Sequence, residues 1–480
     1  TTNTGDLMSF IIGANSAVGG GYIVDDSCRF DGTSSVMSVD TSSASTNKVT
    51  ISAWIKRSKI TADGFIVTSY RDNSNRAKFG FGGSDNLTYF MTEGGTDTEW
   101  NTTAVFRDTG AWYHVVAQLD NTQSTFANRC KLFVNGTEYA TSSSGSSTQS
   151  SATAIIGNGT TSVGNSYYGG AYQGNWFGGY MAQVAMIQGV IHAPTDFGEF
   201  DEDSGIWKPI DITGLTYASY SFLLDFADSA NLGNNASDSG LADLTEAGLT
   251  ATNQATDTPT NNFSTMNLLD NFYAGSTFSE GNLDVYTTGS GLETFNVPTI
   301  GVSAGKWYCE VKVITLSNRT HIGVANKASD ATGNYIGQNT YSYAYAGYDG
   351  NKWNNGDGGS WGNTYTTNDI IGIAMDLTNL KLYFSKNGTW EASGDPTSGS
   401  TGTGSIYTLT APALTPAGMY FFAGGKRSND TIKLSWNFGT PSSSFAISSG
   451  NADADGYGNF EYAVPSGYFA LCTKNLAEYG

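Results

Sequence analysis

Residues Asp369-Ile-Ile-Gly-Ile-Ala-Met-Asp-Leu-Thr-Asn-Leu-Lys-Leu-Tyr-Phe-Ser-Lys-Asn-Gly-Thr-Trp390 decide the fold. Ile371, Ile373, Met375 and Leu377 alternate with Ile370, Gly372, Ala374 and Asp376, a period of two that sets one apolar row against a core and predicts a strand. Asp376 to Leu380 holds a short polar turn, Leu382 and Phe384 resume the alternation, and Asn387-Gly388 supplies the positive-φ pair of a tight hairpin. The same grammar occurs earlier. Trp112 to Asp120 carries Tyr113, Val115, Ala117 and Leu119 on one face, and Cys130-Lys-Leu-Phe-Val-Asn-Gly136 ends on another Asn-Gly. Two regions of the chain are built on one plan.

The totals agree with that plan. Across 480 residues, 60 glycines, 9 prolines, 13% aromatic and 14% charged residues describe many short strands joined by small polar turns, in two large all-β domains. A weak segment from Leu241 to Leu249 is the one place where a helix is expected. A formal charge of −20 repels DNA and anionic membrane, and no Lys/Arg cluster offsets it, so neither nucleic acid nor membrane is an expected partner. The acidic residues are scattered and read as a soluble surface. Cys28, Cys130, Cys309 and Cys472 lie in apolar strand patterns and read as buried free thiols, with disulfides the alternative. Met8 to Gly13 is too short and lacks the basic flank of a secretion signal, and no stretch is long enough for a membrane helix.

In chain order, residues 1–25 read as an arm with one apolar patch at Phe10 to Ile12, and strands begin at Ser27. Phe30-Asp-Gly, Ile51-Ser-Ala-Trp-Ile-Lys, Ala111-Trp-Tyr-His-Val, Lys131-Leu-Phe-Val-Asn-Gly and Gly178-Gly-Tyr-Met-Ala-Gln-Val follow one another at sandwich spacing. This series resembles a concanavalin A-like, laminin-G-type jelly roll over residues 26–205. Residues 206–277 form a bridge dense in Asn, Asp, Ser, Thr and Gly, with one or two strands around Tyr220 to Phe226. The bridge resembles a segment that follows laminin-G-like domains in virion structural proteins of tailed bacteriophages. From 278 to 480 a second set of strands runs. Gly305-Lys-Trp-Tyr-Cys-Glu-Val, His321-Ile-Gly-Val-Ala and the 369–388 stretch resemble a SPRY domain, itself a concanavalin-like sandwich. Tyr462-Ala-Val-Pro-Ser-Gly-Tyr-Phe-Ala-Leu-Cys-Thr resembles the end of the same phage proteins.

Reactive groups are few. His114, His192 and His321 have no Gly-x-Ser-x-Gly elbow beside them, and His114 alternates with core-facing neighbours. Paired carboxylates for glycoside hydrolysis are approached by Glu199-Phe-Asp201-Glu-Asp203, at the wrong spacing and between turn residues. Asn451-Ala-Asp453-Ala-Asp455-Gly456 reproduces the first half of a calcium loop, but Tyr462 occupies the twelfth position; Asp349 to Asp357 is a weaker match. No Cys/His cluster has zinc spacing. The remaining signal is aromatic rings among Gly, Asn and Gln: Tyr172 and Trp176 near Tyr167-Tyr168, then Tyr345, Tyr348, Trp353 and Trp361. Flat rings stack on sugar C–H faces while amides and carboxylates bond hydroxyls, so these six are candidate carbohydrate-binding residues, against packing or subunit contact as the alternative.

The expectation is therefore two concanavalin-like β-sandwiches in tandem, with no catalytic residues, no assigned metal ligands and no cofactor, calcium being the alternative left open. The resemblance implies a virion structural protein assembled in the host cytoplasm: a short fibre, tail-associated knob or head decoration. Its expected partners are other phage structural proteins and host-surface polysaccharide, and its expected assembly is a closed homo-oligomer, most often a trimer in such fibres. A secreted or surface bacterial adhesin and a polysaccharide hydrolase or lyase are the rival readings.

Overall fold

A computed structural model describes residues 21–480 apart from 43, 45, 150–155, 157, 271–274, 290–292, 317–318, 327–333 and 428–430. The apolar patch expected at Phe10 to Ile12 lies outside the described residues. Two antiparallel sandwiches account for nearly all the rest, so the all-β tandem jelly-roll architecture holds.

In the first sandwich, one eight-stranded sheet runs Thr137–Tyr139, Cys130–Val134, Trp112–Asp120, Lys48–Arg57, Gly178–Gln188, Ser27–Asp31, Gln254–Ala255, with Phe222–Leu224 also paired to Gly178–Gln188. The facing sheet, also eight-stranded, runs Thr141–Ser144, Thr96–Val105, Asn86–Glu93, Asn75–Phe81, Gly64–Asp72, Thr160–Val163, Val36–Asp40, Thr245–Ala247. Val115, Ala117 and Leu119 enter the core between the sheets, as their spacing requires. The opposite face of the same strand is buried too. Val116 packs with Phe197, Ile212 and Tyr217 as well as with Leu223 of its own sheet, and Trp112 packs with Trp54 and Trp207, so residues 197–217 form a third layer outside the first sheet. Residues 206–277 thus add strands to both sheets rather than only connecting two domains.

Thr245–Ala247 pairs with Val36–Asp40, which corrects the helix expected at Leu241 to Leu249. Leu244 reaches the core while Leu241 and Leu249 pack at its margin, a spacing that imitates a helical stripe across a loop and a short edge strand. The α-helix among the described residues is Thr473–Tyr479.

In the second sandwich, Ile370–Asp376 lies between Lys306–Thr315 and Lys381–Lys386 in a nine-stranded sheet, facing a six-stranded sheet centred on Thr320–Ala325. Ile371, Ile373, Met375 and Leu377 enter the core. On the reverse face Ala374, Tyr308 and Tyr383 are sealed by Phe460, Tyr468 and Ala470 from the closing segment. All four cysteines are buried and free.

Both Asn-Gly turns have the expected geometry, with φ of +48° and +75° at Asn135-Gly136 and +49° and +78° at Asn387-Gly388. Gly136 is also sterically fixed, because a Cβ there would meet the Trp207 ring at 2.4 Å. Gly95 has a similar φ of +85° with open space around it. Gly136→Ala is therefore expected to cost well over about 1 kcal/mol in urea unfolding, and clearly more than Gly95→Ala, which carries only the backbone penalty. Equal losses would mean that Trp207 does not press on the turn.

The sandwiches are joined through buried polar contacts. Lys56 Nζ, at the end of the central strand Lys48–Arg57, donates to Asp257 Oδ2, Asn262 Oδ1 and Phe263 O, each at 2.7 Å. Asp257 Oδ1 accepts from Trp112 Nε1 at 3.0 Å. Asn262 in turn exchanges two backbone-anchored bonds with Thr473 at 3.0 Å, tying the C-terminal helix to this node. Arg29 adds a second tie, donating to Pro441 O at 2.8 Å and lying 3.5 Å from Glu280.

Candidate functional site

The six candidate rings have different fates. Tyr345 is wholly buried, wedged against Tyr365, Phe384 and Trp361, with its hydroxyl donating to Asn363 O. It lies on the strand Ser342–Ala346, inside the core, so it is a packing residue and the exposure needed for sugar stacking is absent. Trp361 packs edge-on over Tyr345 and Phe384 at the core margin. Trp353 is pinned between His321 and Arg427, whose guanidinium carbon sits 4.0 Å from the ring centroid. Tyr348 is exposed in the loop between Ser342–Ala346 and Asn351–Asn354.

Tyr172 and Trp176 do belong to one place. Tyr167–Tyr168 and Ala171–Tyr172 form a small hairpin turned at Gly169-Gly170, where φ is +61° and +84°. Tyr172 sits 6.0 Å from Trp176, centroid to centroid, and donates to Ser38 Oγ at 3.1 Å. The hairpin rests on Tyr70, whose ring meets Tyr167 and Tyr168 edge-on at 5.7 and 5.8 Å. It therefore stands at one side of the outer face of the sheet that contains Asn75–Phe81.

That outer face carries two residues that sequence reasoning missed. On Asn75–Phe81 the residues Ala77, Phe79 and Phe81 point to the core, so Arg76 and Lys78 must point out. Register sets Lys78 between Thr68 and Phe90, and Arg76 between Tyr70 and Thr92. Arg76, Lys78, Tyr168, Gln173, Gly174 and Asn175 line a cavity of about 220 Å³. The signal was available: a basic residue at every second position of a strand whose other face is apolar.

The groups considered for chemistry are committed elsewhere. His114 is buried between the rings of Trp54 and Trp207, accepts at Nδ1 from Trp207 Nε1 at 3.0 Å, and contacts Ser52 Oγ through Nε2 at 2.8 Å. Burial pushes its pKa down to about 3, so it is a neutral structural group at ordinary pH. Burial likewise holds His321 at about 4, with Nδ1 against Ile336 O at 2.8 Å. His192 lies 2.9 Å from Asp196. Glu199 and Asp201 both pair with Lys208, at 3.3 and 3.2 Å, across the surface hairpin Gly198–Phe200/Trp207–Pro209.

The calcium-like turn is similarly occupied. Asp453 Oδ1 accepts from the backbone of Asp455 and Tyr457, and Oδ2 from Ala470 N and Asn475 Nδ2 at 2.9 and 2.8 Å. Its carboxylate holds the C-terminal segment in place, and these residues do not fit a calcium ion. Among the described residues no group of three or more His, Cys, Asp or Glu side chains could hold a metal.

Comparison with known proteins agrees with this architecture. Residues 30–194 match the family model of the concanavalin A-like lectin/glucanases superfamily, and residues 306–409 match that of the SPRY domain. Ran-binding protein 9 of Danio rerio is 31% identical over 118 residues, which are 23% of this chain and 20% of that protein. The Ran-binding proteins 9/10 homolog of Drosophila melanogaster is 30% identical over 118 residues, 23% of this chain and 12% of that protein. The chain thus spans a fifth or less of the length of these relatives. Among solved structures, the SPRY domain of human HERC1 is similar at 15% identity and a TM-score of 0.26, covering 34% of this chain and 91% of that one. A heptameric SAP-like pentraxin from Limulus polyphemus is similar at 16% identity and a TM-score of 0.27, covering 36% of this chain and 80% of that one.

Proposed function

We propose that this chain, a concanavalin A-like domain followed by a SPRY domain, is a non-enzymatic display and attachment protein of a tailed-phage particle. In that reading it is a short fibre, tail-associated knob or head decoration, assembled as a closed homo-oligomer with other virion proteins, and it binds host-surface polysaccharide through its lectin-like face. One observation carries the binding part. The first sandwich has one sheet whose outer face is roofed by residues 197–217, whereas the outer face of the other presents Tyr168, Tyr172, Trp176, Arg76 and Lys78 beside a cavity. A sandwich roofed on one side and open on the other suits display of the open side. The commitment of His114, Glu199 and Asp201 to structural partners supports the non-enzymatic part. The phage part rests on the resemblance of the bridge and of the closing segment.

Purified full chain, incubated with bacterial surface polysaccharides, is expected to bind at least one of them and to leave its length unchanged. Polymer shortening that disappears in Glu199→Ala/Asp201→Ala would establish the hydrolase or lyase reading instead. A density map of an intact particle that contains this chain tests the virion assignment, and export of the chain to a bacterial surface would establish the adhesin.

A further inference from the structure

Lys78 lines the cavity from the strand Asn75–Phe81. Its ammonium sits 5.1 Å from the Phe65 ring centroid and 5.4 Å from that of Phe90, half-buried on the outer face. Burial lowers its pKa, with the nearby Arg76 charge acting in the same direction and the charges of Asp63 and Asp97 acting against them. Among the described residues it makes no ion pair within 4.0 Å. The carboxylates that could serve it are engaged elsewhere. Asp97 lies 3.7 Å from Arg76 and accepts from Thr92 Oγ1 at 2.7 Å, while Asp63 accepts from Asn175 Nδ2 at 3.3 Å. A partly desolvated ammonium with no carboxylate in contact is costly, and a chain with a formal charge of −20 has carboxylates to spare. Lys78 and Arg76 thus stand side by side near Asp63 and Asp97, with no carboxylate in contact with the Lys78 ammonium.

The rest of the cavity matches a sugar that carries an acid. Tyr168 is 37% exposed, and the Arg76 guanidinium carbon lies 4.8 Å from its ring centroid, so the ring is braced in place as a flat platform. Gln173 is braced as well, its amide donating to Tyr168 O and Ala171 O at 2.9 and 3.0 Å. A cavity of about 220 Å³ is below the usual range for a whole small-molecule ligand and suits one residue of a polymer whose chain continues across the open sheet. Resting on the attachment reading above, we infer that the groove of Arg76, Lys78, Tyr168, Gln173 and Asn175 binds the acidic group of an anionic polysaccharide, a carboxylate or sulfate placed between Lys78 and Arg76 with its ring against Tyr168.

The test uses the full chain on immobilised alginate and hyaluronate as carboxylate probes, dextran sulfate as the sulfate probe, and dextran and mannan as neutral ones. Binding to one acidic class is expected, weakening as salt is raised. Lys78→Met and Arg76→Ala should each reduce it by about tenfold or more, the loss of a charge-assisted hydrogen bond. Lys78→Arg should restore it, and Lys131→Ala, which removes an exposed lysine elsewhere on the same sandwich, should leave it unchanged. Near-ultraviolet circular dichroism of each variant separates loss of binding from loss of fold. Binding only to neutral polymers, or acidic binding indifferent to Lys78, overturns the assignment while leaving glycan attachment standing. No binding to any bacterial polysaccharide, acidic or neutral, removes the attachment reading itself.

Discussion

Lys56→Ala is expected to destabilise the protein by about 3–5 kcal/mol, the cost of leaving a buried partner charge uncompensated. Lys56 and Asp257 are 1% and 0% exposed and 2.7 Å apart. Without the ammonium, Asp257 keeps only neutral donors, Trp112 Nε1 and Phe263 N, and Asn262 Oδ1 and Phe263 O lose their donor. Burial lowers the Lys56 pKa and the Asp257 charge raises it back in part, as a cation held in place by one specific anion requires. The location gives the loss a second signature. The node joins the central strand of the first sandwich to residues 257–263, and through Asn262 to the helix Thr473–Tyr479 of the second. Urea unfolding of the parent should follow one transition, whereas Lys56→Ala should separate into two. Lys56→Met/Asp257→Asn, which removes both charges and keeps an acceptor for Trp112, should recover part of the loss. A single unshifted transition in Lys56→Ala would mean that the node contributes nothing to coupling the sandwiches.

The sheets were legible because their signal is local. Ile371, Ile373 and Met375, or Val115, Ala117 and Leu119, name their face by alternation alone, and both Asn-Gly turns name their own geometry. The outer layers were less legible, because nothing in the loop-like composition of 197–217 announces that Phe197, Ile212 and Tyr217 roof a sheet. The same effect misdirected the reading of aromatic rings. Tyr345 and Trp176 both lie among Gly, Asn and Tyr in sequence, yet one is on a central strand and the other beside a surface hairpin. Composition cannot separate these cases, since the difference is set by what each strand pairs with and packs against, as Tyr345 does on Tyr365 and Phe384. Lys56 was hidden for the same reason: its partners Asp257 and Asn262 are distant in sequence, and an isolated lysine at a strand end reads as solvated. Arg76 and Lys78, by contrast, were readable from spacing, and only the groove beside them needed the fold.

His114 is expected to make the first sandwich acid-sensitive. An indole N–H can only donate, so the bond from Trp207 requires an unprotonated Nδ1, and Nε2 therefore carries the hydrogen that reaches Ser52 Oγ. Protonating Nδ1 would set two N–H groups against each other in a fully buried site, and burial already pushes the pKa from 6.5 to about 3. The unfolded chain takes up this proton near pH 6.5 and the folded one does not, so the contribution is complete above pH 6.5 and is lost as pH falls toward 3. At about 1.36 kcal/mol per pH unit, the loss between pH 6.5 and 4 is on the order of 3 kcal/mol. His321 adds a smaller effect of the same sign, its pKa held near 4. Glu310 opposes both. Burial raises its carboxyl from 4.5 to about 7 despite bonds from the backbone of Glu461 and Tyr462, so its contribution is present below pH 4.5 and declines as pH rises through 7. The parent profile is a sum of these slopes, and the difference between two proteins isolates one of them. His114→Gln should be the less stable at pH 7, with the gap closing by roughly 3 kcal/mol toward pH 4 as the titrating group disappears from the unfolded chain. Parallel stability curves for parent and variant across that range would mean that the folded protein accommodates the imidazolium, and that the pairing with Trp207 does not fix its protonation state.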